Sequence, residues 1–217
     1  KMAYLKRNKI GNFWPIPRKG TKYLALAKHN QNESIPLIVV LRDILKLVKN
    51  KRELKRILNE KQILVNHKQI RETNYPVCLF DIITAGKKHY RAVLSEGKKM
   101  NFQEIQDKDS ETRIYKIIGR KILGKGKIQL NLMQGKNILS NEKSETGDSV
   151  LLNLKNNKIV KTIHLEKGKT AFAVKGKHMG KSGKILEIME RGGKKIIKIE
   201  HKGERINVLT KNIILIE

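Results

Sequence analysis

Residues Ser34–Ile70 read SIPLIVVLRDILKLVKNKRELKRILNEKQILVNHKQI, and this stretch decides the expected fold. Ser34 with Pro36 close behind is typical of a helix start, because proline fits the first turn, where its missing N–H costs no hydrogen bond. Apolar residues then follow at helical spacing from Leu37 to Val48. The sequence therefore predicts a first helix with one apolar face directed into a core.

A second helix and a hairpin are expected directly after the first helix. Asn50 followed three residues later by Glu53 is a capping signature, and it predicts a helix that runs through Glu60. Two short apolar runs then flank the turn Asn66–Lys68, in which asparagine tolerates a positive φ. These patterns predict a small helix-hairpin domain.

Both expected helices carry cations away from their apolar faces. In the first helix these are Arg42, Lys46 and Lys49, and in the second they are Lys51, Arg52, Lys55 and Arg56. A charged stripe on a helix is usually only a solvated face. Here few acidic residues are interspersed, so we interpret the stripes as a binding surface for a polyanion.

Most of the remaining chain has the pattern of short strands separated by Gly-Lys or Asn turns. The expected strands are Ile114–Ile118, Ile128–Leu132, Val150–Leu154, Ile159–Ile163, Thr170–Val174, Lys184–Met189, Lys194–Glu200, Arg205–Leu209 and Asn212–Ile216. The polar stretch 97–112 is expected to be a loop or linker. The closely spaced strands at the C-terminal end favour a small closed barrel, which would protect their edges.

The overall charge indicates the class of partner. The 217 residues include 48 Lys+Arg against 20 Asp+Glu, which gives a net charge of +28 and a pI of about 10.2. Such an excess points to nucleic acid. A membrane surface is less suitable, because no long segment pairs a basic face with a wide apolar one, and no span or secretory signal is visible. We expect a soluble intracellular protein.

The first thirty or so residues are basic and lack apolar periodicity, so they are expected to form an extended arm. Within the arm, Phe13–Lys19 combines two aromatic residues, two prolines and two cations. The aromatic side chains can stack on bases while the cations contact phosphates. The alternative is that Phe13 and Trp14 pin the arm to its own domain, and the sequence does not decide between the two.

Catalytic and metal-binding patterns are missing from the sequence. Lys175–Gly183 superficially resembles a P-loop, but it is one residue short and is followed by a strand pattern instead of a helix. We interpret it as a glycine-turned basic loop. The single cysteine, Cys78, excludes an internal disulfide framework and is expected to be a buried strand residue. No metal, cofactor or catalytic residue is predicted.

The order of these features resembles the S4e family of ribosomal proteins. The likeness rests on Leu5–Arg7, Trp14–Gly20, Ser34–Leu37, Leu41–Asp43, Asn50–Ile83, Gln129–Leu130, Gly135–Asn137 and Ala171–Ile188. Within these, Asn50–Ile83 resembles the S4-type RNA-binding domain and Ala171–Ile188 resembles a KOW motif. The family implies binding to ribosomal RNA without catalysis. Asn66–Lys68 stands where the family commonly has Asp-Gly-Lys.

Together these observations predict an α+β multidomain chain. The expected modules are a basic arm (1–33), an S4-type helix-hairpin domain (34–96), a central β domain (97–166) and an SH3-like KOW barrel (167–217). The expected RNA contacts are Arg7, Trp14, Arg18, Lys19, Lys22, Arg42, Lys46, Arg52, Lys55, Arg56, Lys68, Arg71, Lys175, Lys177, His178, Lys181 and Lys184.

The expected function is that of a structural constituent of the small ribosomal subunit in the cytoplasm. Its expected partners are small-subunit ribosomal RNA and neighbouring small-subunit proteins, with no membrane and no small-molecule substrate. Two alternatives stay open at this point. One is a translation or transcription factor that binds RNA, and the other is an RNA-modifying enzyme with an S4-type domain.

Overall fold

The computed structural model describes residues 4–123, 127–140 and 144–217, which fall into two compact units. Unit 1 ends at Glu111 and unit 2 begins at Thr112. Strands dominate both units, and the α-helices of the described residues are two short ones, α1 (Leu37–Val39) and α2 (Lys51–Asn59). The expectation of an α+β fold with a helix-hairpin domain is therefore wrong, because the chain is mostly β.

The described residues of unit 1 form nine strands. They are β1 (Tyr4–Lys6), β2 (Tyr23–Ala25), β3 (Ser34–Pro36), β4 (Ile63–Val65), β5 (Lys68–Gln69), β6 (Pro76–Cys78), β7 (Ile82–Ala85), β8 (Lys88–Leu94) and β9 (Met100–Ile105). β1 pairs with β2, β3 pairs with β6, and a five-stranded sheet has the order β5-β4-β7-β8-β9. β9 lies in the stretch that was expected to be a loop. Cys78 is a buried strand residue, as predicted.

The first predicted helix is mostly absent. Ser34–Pro36 is a strand, α1 provides a single turn, and Val40–Ile44 continues as a π-helical turn. The chain then leaves the helical path, since Lys46 has a φ of +54°. The apolar residues recur at helical spacing, but the whole stretch from Leu37 to Leu41 is buried, so tertiary packing and not one amphipathic face determines its conformation.

The second helix and the hairpin turn are confirmed as local elements. The side chain of Asn50 accepts a hydrogen bond from the Glu53 N–H at 2.9 Å, as the capping signature predicts. Asn66 and His67 have φ values of +52° and +58°, which fits the two-residue turn favoured in hairpins. β4 also pairs with β7, however, so the hairpin belongs to the larger sheet and does not form a separate domain with α2.

Ten strands in two sheets are formed by the part of unit 2 that the structure describes. They are β10 (Thr112–Ile122), β11 (Ile128–Leu132), β12 (Asn137–Ser140), β13 (Ser149–Asn153), β14 (Ile159–Ile163), β15 (Thr170–Ala173), β16 (Ser182–Arg191), β17 (Lys194–His201), β18 (Glu204–Leu209) and β19 (Ile213–Leu215). The first sheet has the order β12-β11-β10-β13-β14 and the second β18-β17-β16-β15-β19. Every predicted strand here is present, whereas β12 was not predicted.

The second sheet surrounds an aliphatic core to which β14 contributes. The buried cluster includes Ile163 from β14 together with Ile185, Ile197, Ile199 and Ile213. β18 and β19 lie at the two edges of this sheet and do not pair with each other. The sheet is therefore not closed, and the expectation of a closed barrel was wrong. At Gly183 a side chain would overlap the neighbouring strand, since its Cβ would lie 2.0 Å from a backbone carbonyl oxygen of β17.

Candidate nucleic-acid interface

The outward face of α2 is the most regular basic surface of unit 1. Leu54 and Leu58 are fully buried on the inner face, which fixes the rotation of the helix about its axis. The exposed cations on the opposite side are Lys51, Arg52, Lys55 and Arg56. Arg56 donates a hydrogen bond to Glu60 at 2.8 Å, and this contact raises the pKa of its guanidinium. The other three have no ion pair within the described residues, so they can meet an external anion.

The basic stripe predicted on the first helix does not form. Its spacing requires a continuous helix through Lys49, and the helical turns end at Ile44. Arg42 is half-buried and donates two hydrogen bonds of 2.8 Å to Asp43, which raises the pKa of its guanidinium. Lys46 is exposed, but it lies beyond the helical turns. Arg42 and Lys46 therefore do not form a helical stripe that continues the basic surface of α2.

The hairpin turn is held from behind by a polar network. Asn66 Nδ2 donates to Asp81 Oδ1 at 2.5 Å, and Asn66 Oδ1 accepts from the Ile82 N–H at 3.0 Å. Asp81, which is buried, also accepts from the Cys78 N–H at 2.5 Å. The network fixes the turn, and the predicted contacts just beyond it, Lys68 and Arg71, are both exposed.

The N-terminal segment is folded against unit 1. Trp14 is 2% exposed, the Phe13 carbonyl accepts from the Met100 N–H at 2.8 Å, and Lys99 Nζ donates to the Trp14 carbonyl at 3.1 Å. These contacts favour the alternative in which the aromatic residues pin the arm to its own domain. The predicted contacts on either side of Trp14 differ in exposure. Arg18, Lys19 and Lys22 are exposed, whereas Arg7 is half-buried.

The predicted C-terminal contacts lie on the loop between β15 and β16 and at the start of β16. Lys175, Lys177 and Lys184 are exposed, whereas His178 and Lys181 are half-buried. Gly176 and Gly180 have φ values of +89° and +90°, which explains the two glycines of the loop. A strand follows, as predicted, so the loop lacks the helix that a P-loop requires.

A buried cation that sequence reasoning missed lies close enough to Lys175 of this loop to be influenced by its charge. Lys116 is 6% exposed, and its Nζ donates to the carbonyl oxygens of Thr210 and of Ile213, the latter at 2.8 Å. Burial, with a smaller contribution from the charge of Lys175, lowers the pKa of Lys116 to about 8. The available signal was a single lysine inside the apolar run Ile114–Ile118. Lys116 joins β10 to the second sheet of unit 2.

The described residues form neither a metal-binding cluster nor a membrane-spanning helix. Within them, no group of three or more His, Cys, Asp or Glu side chains is arranged to hold a metal ion. None of the helices described has the length and apolar character needed to cross a membrane. The exposed cations on a helix, a hairpin and a glycine-turned loop are the features of a nucleic-acid-binding protein.

Comparisons with known proteins identify the family. Residues 86–159 match the model of ribosomal family S4e. The small ribosomal subunit protein eS4 of Methanosphaera stadtmanae is 39% identical over 190 residues, which cover 85% of this chain and 79% of the relative. Its counterpart from Methanospirillum hungatei is 32% identical over 225 residues, which cover 98% of this chain and 93% of the relative. The chain therefore belongs to the S4e family of ribosomal proteins.

A solved structure supports the fold. The 30S ribosomal protein S4e from Thermoplasma acidophilum matches with a TM-score of 0.74 at 24% identity, covering 85% of this chain and 95% of that one.

Family membership confirms the expectation of a structural protein of the cytoplasmic ribosome and not an enzyme.

Proposed function

We propose that this chain is a structural constituent of the small ribosomal subunit that binds small-subunit ribosomal RNA and contacts neighbouring small-subunit proteins. The observation that carries the proposal is the outward face of α2, where Lys51, Arg52 and Lys55 are exposed without an acidic partner in the described residues. Cations on a rigid element neutralise phosphates and release condensed counterions, which is the main source of affinity for a nucleic-acid backbone.

The exposed members of the predicted contact set are the preferred RNA ligands. They are Arg18, Lys19, Lys22, Arg52, Lys55, Arg56, Lys68, Arg71, Lys175, Lys177 and Lys184, with Lys46 as a more isolated member. Arg7, Arg42, His178 and Lys181 are half-buried, so they offer less of their charge to a phosphate. Trp14 contributes by holding the segment in place, because its ring is buried. The three boundaries between the four modules, after residues 33, 96 and 166, remain part of the proposal.

Affinity for small-subunit ribosomal RNA, measured against a mixed competitor RNA over a range of salt concentrations, tests the proposal. A protein that neutralises about ten phosphates has a log-log salt slope of about −7 to −9. We expect this slope together with a preference for the ribosomal RNA that persists as the salt rises. Loss of all preference at moderate salt would contradict the proposal, because charge alone would then explain the binding.

Co-sedimentation separates a structural constituent from a free factor. A constituent remains on small subunits at a stoichiometric level through a high-salt wash, because many phosphate contacts and protein contacts must be released together. A factor is present below stoichiometry and is washed off readily. The second result would contradict the structural role while leaving RNA binding intact.

A further inference from the structure

The N-terminal segment of unit 1 lines a half-open cavity whose charged side chains are all cations. Its volume is about 840 Å³, and it lies between the segment that follows β1, the loop before β2 and the strand region near Lys99. The cations that line it are Lys6, Arg7, Arg18, Lys19, Lys22 and Lys99, and no Asp or Glu is among its lining residues. Within the described part of the chain, none of these six cations is paired with a carboxylate.

Arg7 is held in a fixed position in this cavity. Its Nε donates to the Thr21 carbonyl at 2.7 Å, its Nη1 to the Pro17 carbonyl at 2.6 Å and its Nη2 to Thr21 Oγ1 at 3.0 Å. A guanidinium has five N–H donors, so two remain for a ligand. Gly20 makes this position possible, since a Cβ there would lie 2.9 Å from Arg7 Nη2. The charge is thus oriented before any ligand arrives.

The acceptors around Arg7 are neutral, so its positive charge is not compensated. Lys99 is likewise held by a neutral partner, the carbonyl of Trp14, at 3.1 Å. Like charges around one cavity raise its positive potential and destabilise the fold unless an anion enters. The volume falls within the range of about 300–1,000 Å³ that is usual for organic ligands, which is more than a single inorganic ion requires.

We propose that this cavity binds a nucleotide unit of a bent or single-stranded RNA segment, with its phosphate on Arg7 and the surrounding lysines. The proposal rests on the RNA-binding function proposed above and adds a defined pocket to it. Arg7 supplies a preorganised pair of N–H donors, and Arg18 and Lys19 supply exposed charge at the rim. A free nucleotide carries the same phosphate chemistry, so the experiment must distinguish it from RNA.

Trp14 provides a local probe, because it is the chain's single tryptophan and it lines the cavity. We expect short oligouridine RNA to change the tryptophan emission of the full chain in a saturable manner. Arg18→Gln combined with Lys19→Gln should weaken this binding by about tenfold or more, because two charged contacts are lost. The matched control, Lys158→Gln with Lys161→Gln, removes two exposed charges in unit 2 and should change the affinity by about twofold or less.

The results of these measurements decide whether the cavity binds a nucleotide unit of RNA. An unchanged affinity in the Arg18/Lys19 variant, with its thermal unfolding also unchanged, would overturn the proposal. RNA binding detected by filter retention without any change in Trp14 emission would overturn it as well, but would leave the proposed function standing. Absence of RNA binding by both methods would instead contradict the proposed function. Tighter saturation by UTP than by oligouridine would overturn RNA as the source of the nucleotide.

Discussion

Lys116 allows a quantitative test of how unit 2 is held together. Its ammonium is buried and donates to two carbonyl oxygens, and no carboxylate of the described residues pairs with it. Burial disfavours the charged form, and the nearby charge of Lys175 adds to the effect, so the pKa of Lys116 falls from 10.5 to about 8. The unfolded chain retains the ordinary pKa. The folded state therefore binds fewer protons than the unfolded state between these two values.

The size of the effect follows from this difference in pKa. Each pKa unit corresponds to about 1.4 kcal/mol, so burying the charged form costs about 3 kcal/mol relative to the neutral amine. The cost is fully present well below pH 8 and disappears above pH 10.5. The free energy of unfolding should therefore rise with pH across this window, by about 2–3 kcal/mol at pH 10.

The assay is urea unfolding of the wild type and of Lys116→Met from pH 7 to pH 10. Subtracting the two curves removes the titration of the other groups. The stability of the wild type relative to the variant should increase by about 2–3 kcal/mol over this range. The same subtraction with Lys158→Met, an exposed lysine, should stay flat to within about 0.5 kcal/mol. A flat or falling curve for Lys116 would refute the assignment of a buried, destabilised ammonium.

Further predictions concern the surface of α2, the second sheet and the hairpin. Arg52→Gln with Lys55→Gln should make the salt slope for RNA binding shallower by about 1.5–2, with the helix content unchanged by circular dichroism; an unaltered slope would exclude these residues as phosphate contacts. Gly183→Ala should destabilise unit 2 by about 2 kcal/mol or more in thermal unfolding, because its Cβ overlaps β17, whereas Gly97→Ala should be near neutral. Asn66→Ala should cost about 1–3 kcal/mol, since it removes the hydrogen bond to Asp81 Oδ1 and the one from the Ile82 N–H, and a smaller loss would show that water replaces the amide.

The sequence predicted local elements better than their assembly. Capping residues and turn residues act within a few positions, so α2 and the turn at Asn66 and His67 were predicted correctly. The first helix was not, because Leu37–Leu41 is buried on all sides and its conformation depends on the strands around it. The pairing of β4 with β7 is also non-local, which is why a separate helix-hairpin domain was expected.

The candidate interface was predictable where residues act from the surface. Exposed cations such as Arg52 and Lys177 can be identified from charge and pattern alone. The cavity around Arg7 could not be, because it depends on hydrogen bonds to carbonyls ten or more residues away. Trp14 illustrates the same limit. A tryptophan beside prolines and cations can stack on a base or pack into a core, and the sequence around it is the same in both cases.

The strands also provide part of the surface on which this chain carries its charge. A strand packed on one face buries alternate residues and leaves the others in water. In β17, Ile197 and Ile199 are buried while Glu200 is exposed between Ile199 and the buried His201. Alternation of this kind provides surface positions for lysine on strands such as β17. Among the lysines and arginines of the described residues, only Arg113 and Lys116 are buried. Strand alternation thus adds to the cationic surface that α2 and the loops present, and at Lys116 a charged group lies within the core.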